Sequence, residues 1–198
     1  MGFRFIGGNL KMQYMGDSDW WNARFKERKL HIMMHERRLE QDLVYFPVRG
    51  KILDLACGDG RNAIYLARLG YEILAVDFCE EALKRLSYFA KQESLKIETK
   101  LVDLSKDESF IHFNKFEAII INHYRLKPQL YIHLMNYINE NGILWINGFS
   151  EVPNDNHNIT ESDLLKESDF ICLDSYKLEN KKRYEINQRQ FIRYIWRK

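Results

Sequence analysis

A chain of 198 residues is long enough to bury one full core and short enough to form a single domain. With 45% hydrophobic and 29% charged residues it reads as globular, which excludes a disordered or fibrous chain. A formal charge of only +2 argues against nucleic acid or another phosphate-dominated partner, which calls for a strongly basic face. The three cysteines, Cys57, Cys79 and Cys172, are odd in number and lack metal-ligand spacing. They read as buried thiols of a reducing cytosol, so a cytoplasmic location and no bound metal are expected. No apolar run reaches the roughly 20 residues of a membrane span, and no membrane association is expected.

Residues 1–18, which include the short mixed stretch "MGFRFIGGNL", are expected to form a flexible N-terminus ahead of one domain over 19–198. "WWNARFKERKLHIMMHERRLEQDLVYF" is long, charged and helix-compatible, and residues 19–46 are expected to form a helical lid or cap. Trp20, Trp21, Arg24 and Phe25 are its candidates to cover a ligand, or to pack aromatic rings on the sheet. His31 and His35 sit four apart there without an acidic third ligand, and read as surface. "GKILDLA" is a short apolar run of the kind a buried parallel strand shows. "RNAIYLARLG" switches to helical period and stops at Gly70. "YEILAVD" is the next strand, and "CEEALKRLSYFAKQES" the next helix, with acids in its first turn. "LKIETKLVDL" and "FEAIIIN" follow as strands, then "KPQLYIHLMNYINENG" as a helix ended by Asn-Gly and "ILWINGF" as a fifth strand. "TESDLLKE" predicts a helix capped by Thr160 with Asp163 in the capping-box position. Two extended runs, 170–178 and 184–196, close the chain without a helix between them, and their clustered lysines and arginines read as solvated positions.

Strands alternating with helices predict an α/β fold, a Rossmann-like doubly wound and mostly parallel seven-stranded sheet with an antiparallel C-terminal hairpin strand. In such sheets a ligand sits beyond the carboxyl ends of the strands. Asp54 with the glycine turn, Asp77, Asp103 and Asn122 all fall at or near such ends.

The stretch "GDGRNA" satisfies the dinucleotide fingerprint, and a nicotinamide-dependent oxidoreductase is one reading of it. It is not a P-loop, because no Gly-Lys-Ser/Thr follows. Asp54, four residues before Gly58, points elsewhere. A buried carboxylate there repels a pyrophosphate but attracts a cation. S-adenosyl-L-methionine carries a sulfonium and an ammonium and no phosphate. Gly58 and Gly60 let the chain pass close to its amino-acid part, and Arg61, Asn62 and the helix N-terminus can receive its carboxylate. Asp77 can accept both ribose hydroxyls, Asp103 can bind the adenine amino group beside Leu104, and Phe78 can stack on the base.

"ILDLACGDGRNAIYLARLGYEILAVDF" closely resembles the class I S-adenosylmethionine-dependent methyltransferases. Its "CGDGRNAIYLA" form is most similar to the small tellurite-resistance and thiopurine-type branch. "WWNARF" is similar to the W-D-x-R-Y segment that begins many members, and "NGILWINGF" to the strand that follows a Pro-Gly-Gly turn. The resemblance spans about residues 19–198. It implies that Asp54, Gly58, Gly60, Asp77 and Asp103 bind the cofactor. Ala56, Arg61, Asn62, Phe78, Leu104 and Asn122 complete the expected cofactor set, the product being S-adenosyl-L-homocysteine. Two stretches depart from the family: "NENG" carries the single Gly142, and "INHYRLKP" follows the fourth strand.

The expected reaction is in-line methyl transfer to a small-molecule acceptor such as a thiol or chalcogen oxyanion, by a monomer or homodimer. Positioning supplies much of the rate in such a displacement, so a dedicated base is optional. His123 and Tyr124, just past the fourth strand, are the candidates for a base or a pocket wall. A nucleic-acid methyltransferase and a non-catalytic cofactor-binding regulator are the alternatives.

Overall fold

In the computed structural model, which describes residues 17–106, 113–156 and 158–198, the strand–helix alternation closes into one seven-stranded sheet. Its strands are β1 (Lys51–Leu55), β2 (Glu72–Asp77), β3 (Ile97–Leu101), β4 (Phe116–Asn122), β5 (Ile138–Phe149), β6 (Lys177–Ile186) and β7 (Arg189–Arg197). They lie in the order β3-β2-β1-β4-β5-β7-β6, and β7 is antiparallel to both of its neighbours. The chain order reverses between β1 and β4, so a crevice opens there above the strand ends.

Both faces of the sheet are covered, which explains why β1 and β4 are near-continuously apolar. Leu53, Leu55, Ile119, Ile121, Leu144 and Ile146 face one layer, with α5 (Pro128–Asn136). Ile52, Ala75, Ile120 and Trp145 face the other, with α3 (Arg61–Arg68) and α4 (Glu80–Gln92). The two-residue alternation puts Asp54 on the face of Ile52, toward α3.

Four expected elements differ in the structure. The N-terminal segment is not one helix. It forms α1 (Ser18–Glu27), extended chain, α2 (Arg37–Gln41) and a short 3-10 turn at Leu43–Tyr45. Helix propensity yields there to distant partners: Arg85 donates to the carbonyls of Arg28 and Lys29, and Asn62 accepts from the Glu36 N–H. Asp17 caps α1 through the Trp20 N–H, so helix begins at the point where a loose terminus is expected to end; residues 1–16 lie outside the described residues.

The helix over "KPQLYIHLMNYINENG" stops at Asn136, and the remainder joins β5. Phe116 pairs with Ile138 and Ala118 with Ile143, so Asn139–Gly142 is a bulge, with Asn141 at φ 64°. The Thr160–Asp163 capping box is present, but it heads a 3-10 turn at Glu161–Asp163, and a second such turn covers Glu167–Leu173. The hairpin therefore starts later than expected, at Lys177. Its two-residue loop is Asn187-Gln188, both at positive φ, the backbone that matches the twist of paired strands.

Gly60 precedes α3 at φ 80°, and a Cβ there would lie 2.2 Å from Leu86 Cδ1. Its role is to let α3 and α4 meet as well as to turn the chain. Gly60→Ala is expected to cost about 2 kcal/mol through strain and overpacking. A urea titration showing an unchanged midpoint would count against this packing role.

Candidate active site

The crevice above β1, β2 and β4 is a cavity of about 330 Å³, a size suited to a small ligand. Trp21 and Phe25 of α1 and Arg28 and Met33 of the extended segment line one side of it. The β1–α3 turn supplies Asp54, Ala56, Cys57, Gly58, Asp59, Arg61 and Asn62. Asp77 and Phe78 come from the end of β2, and Asn122, His123, Tyr124 and Arg125 from the end of β4. The cavity therefore gathers Asp54, Ala56, Gly58, Arg61, Asn62, Asp77, Phe78, Asn122, His123 and Tyr124 of the expected set.

Asp77 is the brace of the turn. Its Oδ2 accepts from the Gly58 N–H at 2.8 Å and its Oδ1 from the Cys79 N–H at 2.9 Å. One carboxylate thus ties the glycine turn to the start of α4. Ala56 and Gly58 hold φ of 55° and 56°, and Ala56 does so with a side chain, at a cost of about 1 kcal/mol or more. Such strain persists only where the surroundings impose it.

Asp54 is buried beside Asp77, and its Oδ2 has no hydrogen-bond partner among the described residues. Burial first, and then the charge of Asp77, push its carboxyl up to about 8, with Arg61 opposing. Burial also raises Asp77, against the two N–H bonds that hold its charged form. The same burial, with Asp54 and Asp77 nearby, pushes the Cys57 thiol up, so it stays protonated and inert. Two buried carboxyls around an open volume, one with an orphaned oxygen, suit a ligand that brings a cation and hydroxyl or amine donors.

Arg61 and Asn62 have a second task that their position in the motif does not reveal. Asn62 Oδ1 accepts from the Glu36 N–H at 2.9 Å, and an Arg61 nitrogen lies 3.6 Å from Glu36 Oε2. They hold the extended segment down across the cavity. Asp59 does the same through Arg28 at 3.1 Å and Arg85 at 3.4 Å.

Asn122 accepts from Asn147 at 2.9 Å, and Tyr184 donates to Asn147 at 2.7 Å, so a buried polar chain fixes the tip of β4. Gly60, Asp103 and Leu104 do not line the cavity. Leu104 is buried in the core. Asp103 accepts from the Ser105 N–H and hydroxyl and lies 3.5 Å from Lys106; burial raises its pKa, but these bonds outweigh it and hold it below the usual range. His35 stacks on Tyr65 with ring centroids 3.6 Å apart and lies 3.3 Å from Glu40, while His31 is exposed.

The sequence reading did not single out Arg28, Met33, Glu36, Asp59 or Arg125 as site residues. Asp59 stood inside the glycine motif and was legible there. Glu36 had no signal, because its partners lie on α3 and β4.

The sequence profile of the family described as tellurite resistance protein TehB matches residues 13–143. The Haemophilus influenzae protein named "Probable S-adenosyl-L-methionine-dependent methyltransferase TehB" is 42% identical over 55 residues, 28% of this chain and 19% of that protein. The ubiquinone biosynthesis O-methyltransferase of Rickettsia typhi is 28% identical over 133 residues, 63% of this chain and 53% of that protein. The matches thus span at most about half the length of these two relatives. Among solved structures, TehB from Haemophilus influenzae superposes with a TM-score of 0.67 at 20% identity, over 90% of this chain and 67% of that one. A S-adenosylmethionine-dependent methyltransferase from Clostridium acetobutylicum superposes at 0.62 and 15% identity, over 92% of each chain. These likenesses show the class I methyltransferase fold, and the profile match over most of the domain is more specific: the chain belongs to the tellurite resistance protein TehB family.

Proposed function

We propose that this chain transfers the methyl group of S-adenosyl-L-methionine to a small-molecule acceptor. The observation that carries the reading is the orphaned, buried Asp54 Oδ2 on the wall of a cavity it shares with Asp77. A phosphate ligand would face two buried carboxyls, whereas an ammonium group satisfies Asp54. We assign Asp77 to the ribose hydroxyls and Phe78 to a face of the adenine. The α3 N-terminus with Arg61 and Asn62 takes the carboxylate, and Ala56, Gly58 and Gly60 shape the turn around the amino-acid part.

The bound donor supplies a methyl carbon already activated by a sulfonium. The chain's own task is to hold that carbon in line with an acceptor near Asn122, His123 and Tyr124 and to exclude water. Trp21, Phe25 and the segment from Arg28 to Glu36 serve as the cap. The names of the family and of its relatives support the methyl-transfer reading, and a near-neutral chain supports a small acceptor over nucleic acid.

Calorimetric titration of the full chain is expected to show micromolar binding of S-adenosyl-L-methionine and S-adenosyl-L-homocysteine, and none of NADH. Binding of NADH alone would replace this reading with an oxidoreductase. Binding of the methyl donor with no transfer to any thiol, amine or chalcogen oxyanion would reduce it to a regulatory module.

A further inference from the structure

Asn122 and Asn147 face each other across β4 and β5 as the last pair of that register. Their side chains therefore stand on one face of the sheet, and Asn147 Nδ2 donates to Asn122 Oδ1 at 2.9 Å. Behind them Tyr184 of β6 donates its hydroxyl to Asn147 Oδ1 at 2.7 Å. The Tyr184 ring is itself gripped, stacked 5.4 Å from the Phe191 ring with the Arg38 guanidinium 4.4 Å over it.

The direction of this chain is set at its buried end. Burial pushes the Tyr184 phenol up, so it keeps its proton, and Asn147 Oδ1 is its hydrogen-bond partner among the described residues. With the Asn147 amide turned round, its NH₂ would donate to the phenol oxygen and the phenol proton would be left without an acceptor. Asn147 therefore spends its oxygen on Tyr184 and offers its NH₂ to Asn122, which must answer with its own oxygen. The Asn122 NH₂ is turned the other way. It has no hydrogen-bond partner among the described residues and, unlike Asp54 Oδ2, it is not closed off from the open volume that Asn122 lines.

One tyrosine proton thus fixes two amides and leaves an N–H donor on the cavity wall. The guanidinium groups of that wall are already engaged: Arg61 lies against Glu36, Arg28 against Asp59 and Arg125 against Asp169. A ligand lone pair that meets the Asn122 NH₂ breaks no ion pair.

We propose that Tyr184 and Asn147 are positioning residues of this site, which orient Asn122 so that its NH₂ donates to a lone pair on a ligand oxygen or sulfur atom. The proposal rests on the methyl-transfer reading, which supplies two such atoms: a carboxylate oxygen of the methyl donor, and an oxygen or sulfur of the methyl acceptor. An ammonium group finds no partner at Asn122 and belongs with Asp54.

Calorimetry on the full chain separates the two sources. The probes are S-adenosyl-L-homocysteine and 5′-methylthioadenosine, which has the same nucleoside and thioether but no carboxylate. If the carboxylate is the partner, Asn122→Ala is expected to weaken S-adenosyl-L-homocysteine about tenfold, and Asn122→Asp, which sets an oxygen where the NH₂ stood, about 100-fold. Binding of 5′-methylthioadenosine then stays at the parent's level in both. If the acceptor is the partner, both affinities hold and kcat/KM for selenite or 2-mercaptoethanol falls by those factors instead. Tyr184→Phe frees the amides to turn and is expected to give about a fivefold loss on the same measurement, but none when added to Asn122→Ala, because it acts through that amide. Side-chain amide NMR of the unaltered chain gives a reading that does not depend on any variant folding: the Asn122 NH₂ signals shift when ligand is added, and those of Asn147 exchange slowly. An Asn122→Asp chain equal to the parent in affinity and, where either acceptor is turned over, in kcat/KM overturns the proposal. So do Asn122 NH₂ signals indifferent to ligand, or a Tyr184→Phe loss of the same size with and without Asn122. Failure of the unaltered chain to bind S-adenosyl-L-homocysteine overturns instead the methyl-transfer reading beneath it, and this one with it.

Discussion

Asp77→Ala is expected to weaken S-adenosyl-L-homocysteine binding by about 100-fold or more, as measured by calorimetry on the full chain. Two losses add. The proposed ribose contact is a pair of hydrogen bonds to a charged oxygen, each in the range of about 1.5–3 kcal/mol, and about 1.4 kcal/mol already makes a factor of ten. The brace goes as well, because the Gly58 and Cys79 N–H groups lose the carboxylate that ties the turn to α4. Asp77→Asn separates the two effects. It keeps the shape but sets an NH₂ against one of the two N–H donors and turns an acceptor of a ribose hydroxyl into a donor. Asn is therefore expected to retain the fold and still lose at least tenfold in affinity. Unchanged affinity in both variants would remove Asp77 from the ligand site and leave it a turn residue.

Asp54→Asn is expected to make the chain more stable and worse at binding. In the folded chain this carboxyl titrates at about 8, well above its ordinary 3.8, because burial and the neighbouring Asp77 disfavour its charge. For a raised acid the folded state binds the extra proton, so stability is full below about pH 4 and is lost as pH climbs toward 8. Several kcal/mol are at stake, and the amide removes the penalty. At pH 8 the variant's melting temperature is expected to exceed the parent's by about 5 °C or more, with no difference at pH 4. Binding tells the converse story. At pH 7 the free chain holds Asp54 mostly protonated, so taking up an ammonium group releases close to one proton. Calorimetry of S-adenosyl-L-homocysteine in two buffers of different ionisation enthalpy should report that release in the parent and none in Asp54→Asn. Equal proton release in both would show that Asp54 does not meet the ligand's charge.

The two experiments bear on different halves of the same cavity. On the proposed reading, Asp77 tests the nucleoside end and Asp54 the amino-acid end. Loss at one end with the other intact would locate the fault within the reading.

What the chain declares locally is largely what the residues themselves can enforce over a few positions. Apolar runs long enough for a buried strand, alternating with 3.6-period segments, dictated the parallel sheet and its order of helices. Asp54, Gly58 and Asp77 were legible because strand ends and tight turns need those residue types at close spacing. The Thr160–Asp163 box was legible for the same reason, since both partners lie within one turn.

Tertiary structure decided everything whose partners are far apart in sequence. The segment after Glu27 had helix-forming residues, yet Arg85 and Asn62 drew its backbone into an extended strap over the cavity. Asn139–Gly142 looked like a turn after a helix, yet Asn141 donates its N–H to the Lys198 carbonyl and Gly142 accepts from the Lys198 N–H, so the stretch was captured as a bulge of β5. Asp103 sat at the expected strand end, but Ser105 and Lys106 engage it outside the cavity. Glu36 and His123 carried no common motif; they meet only because the strap and the tip of β4 converge on one crevice. Short-range spacing determined the cradle, and long-range packing decided what stands across from it.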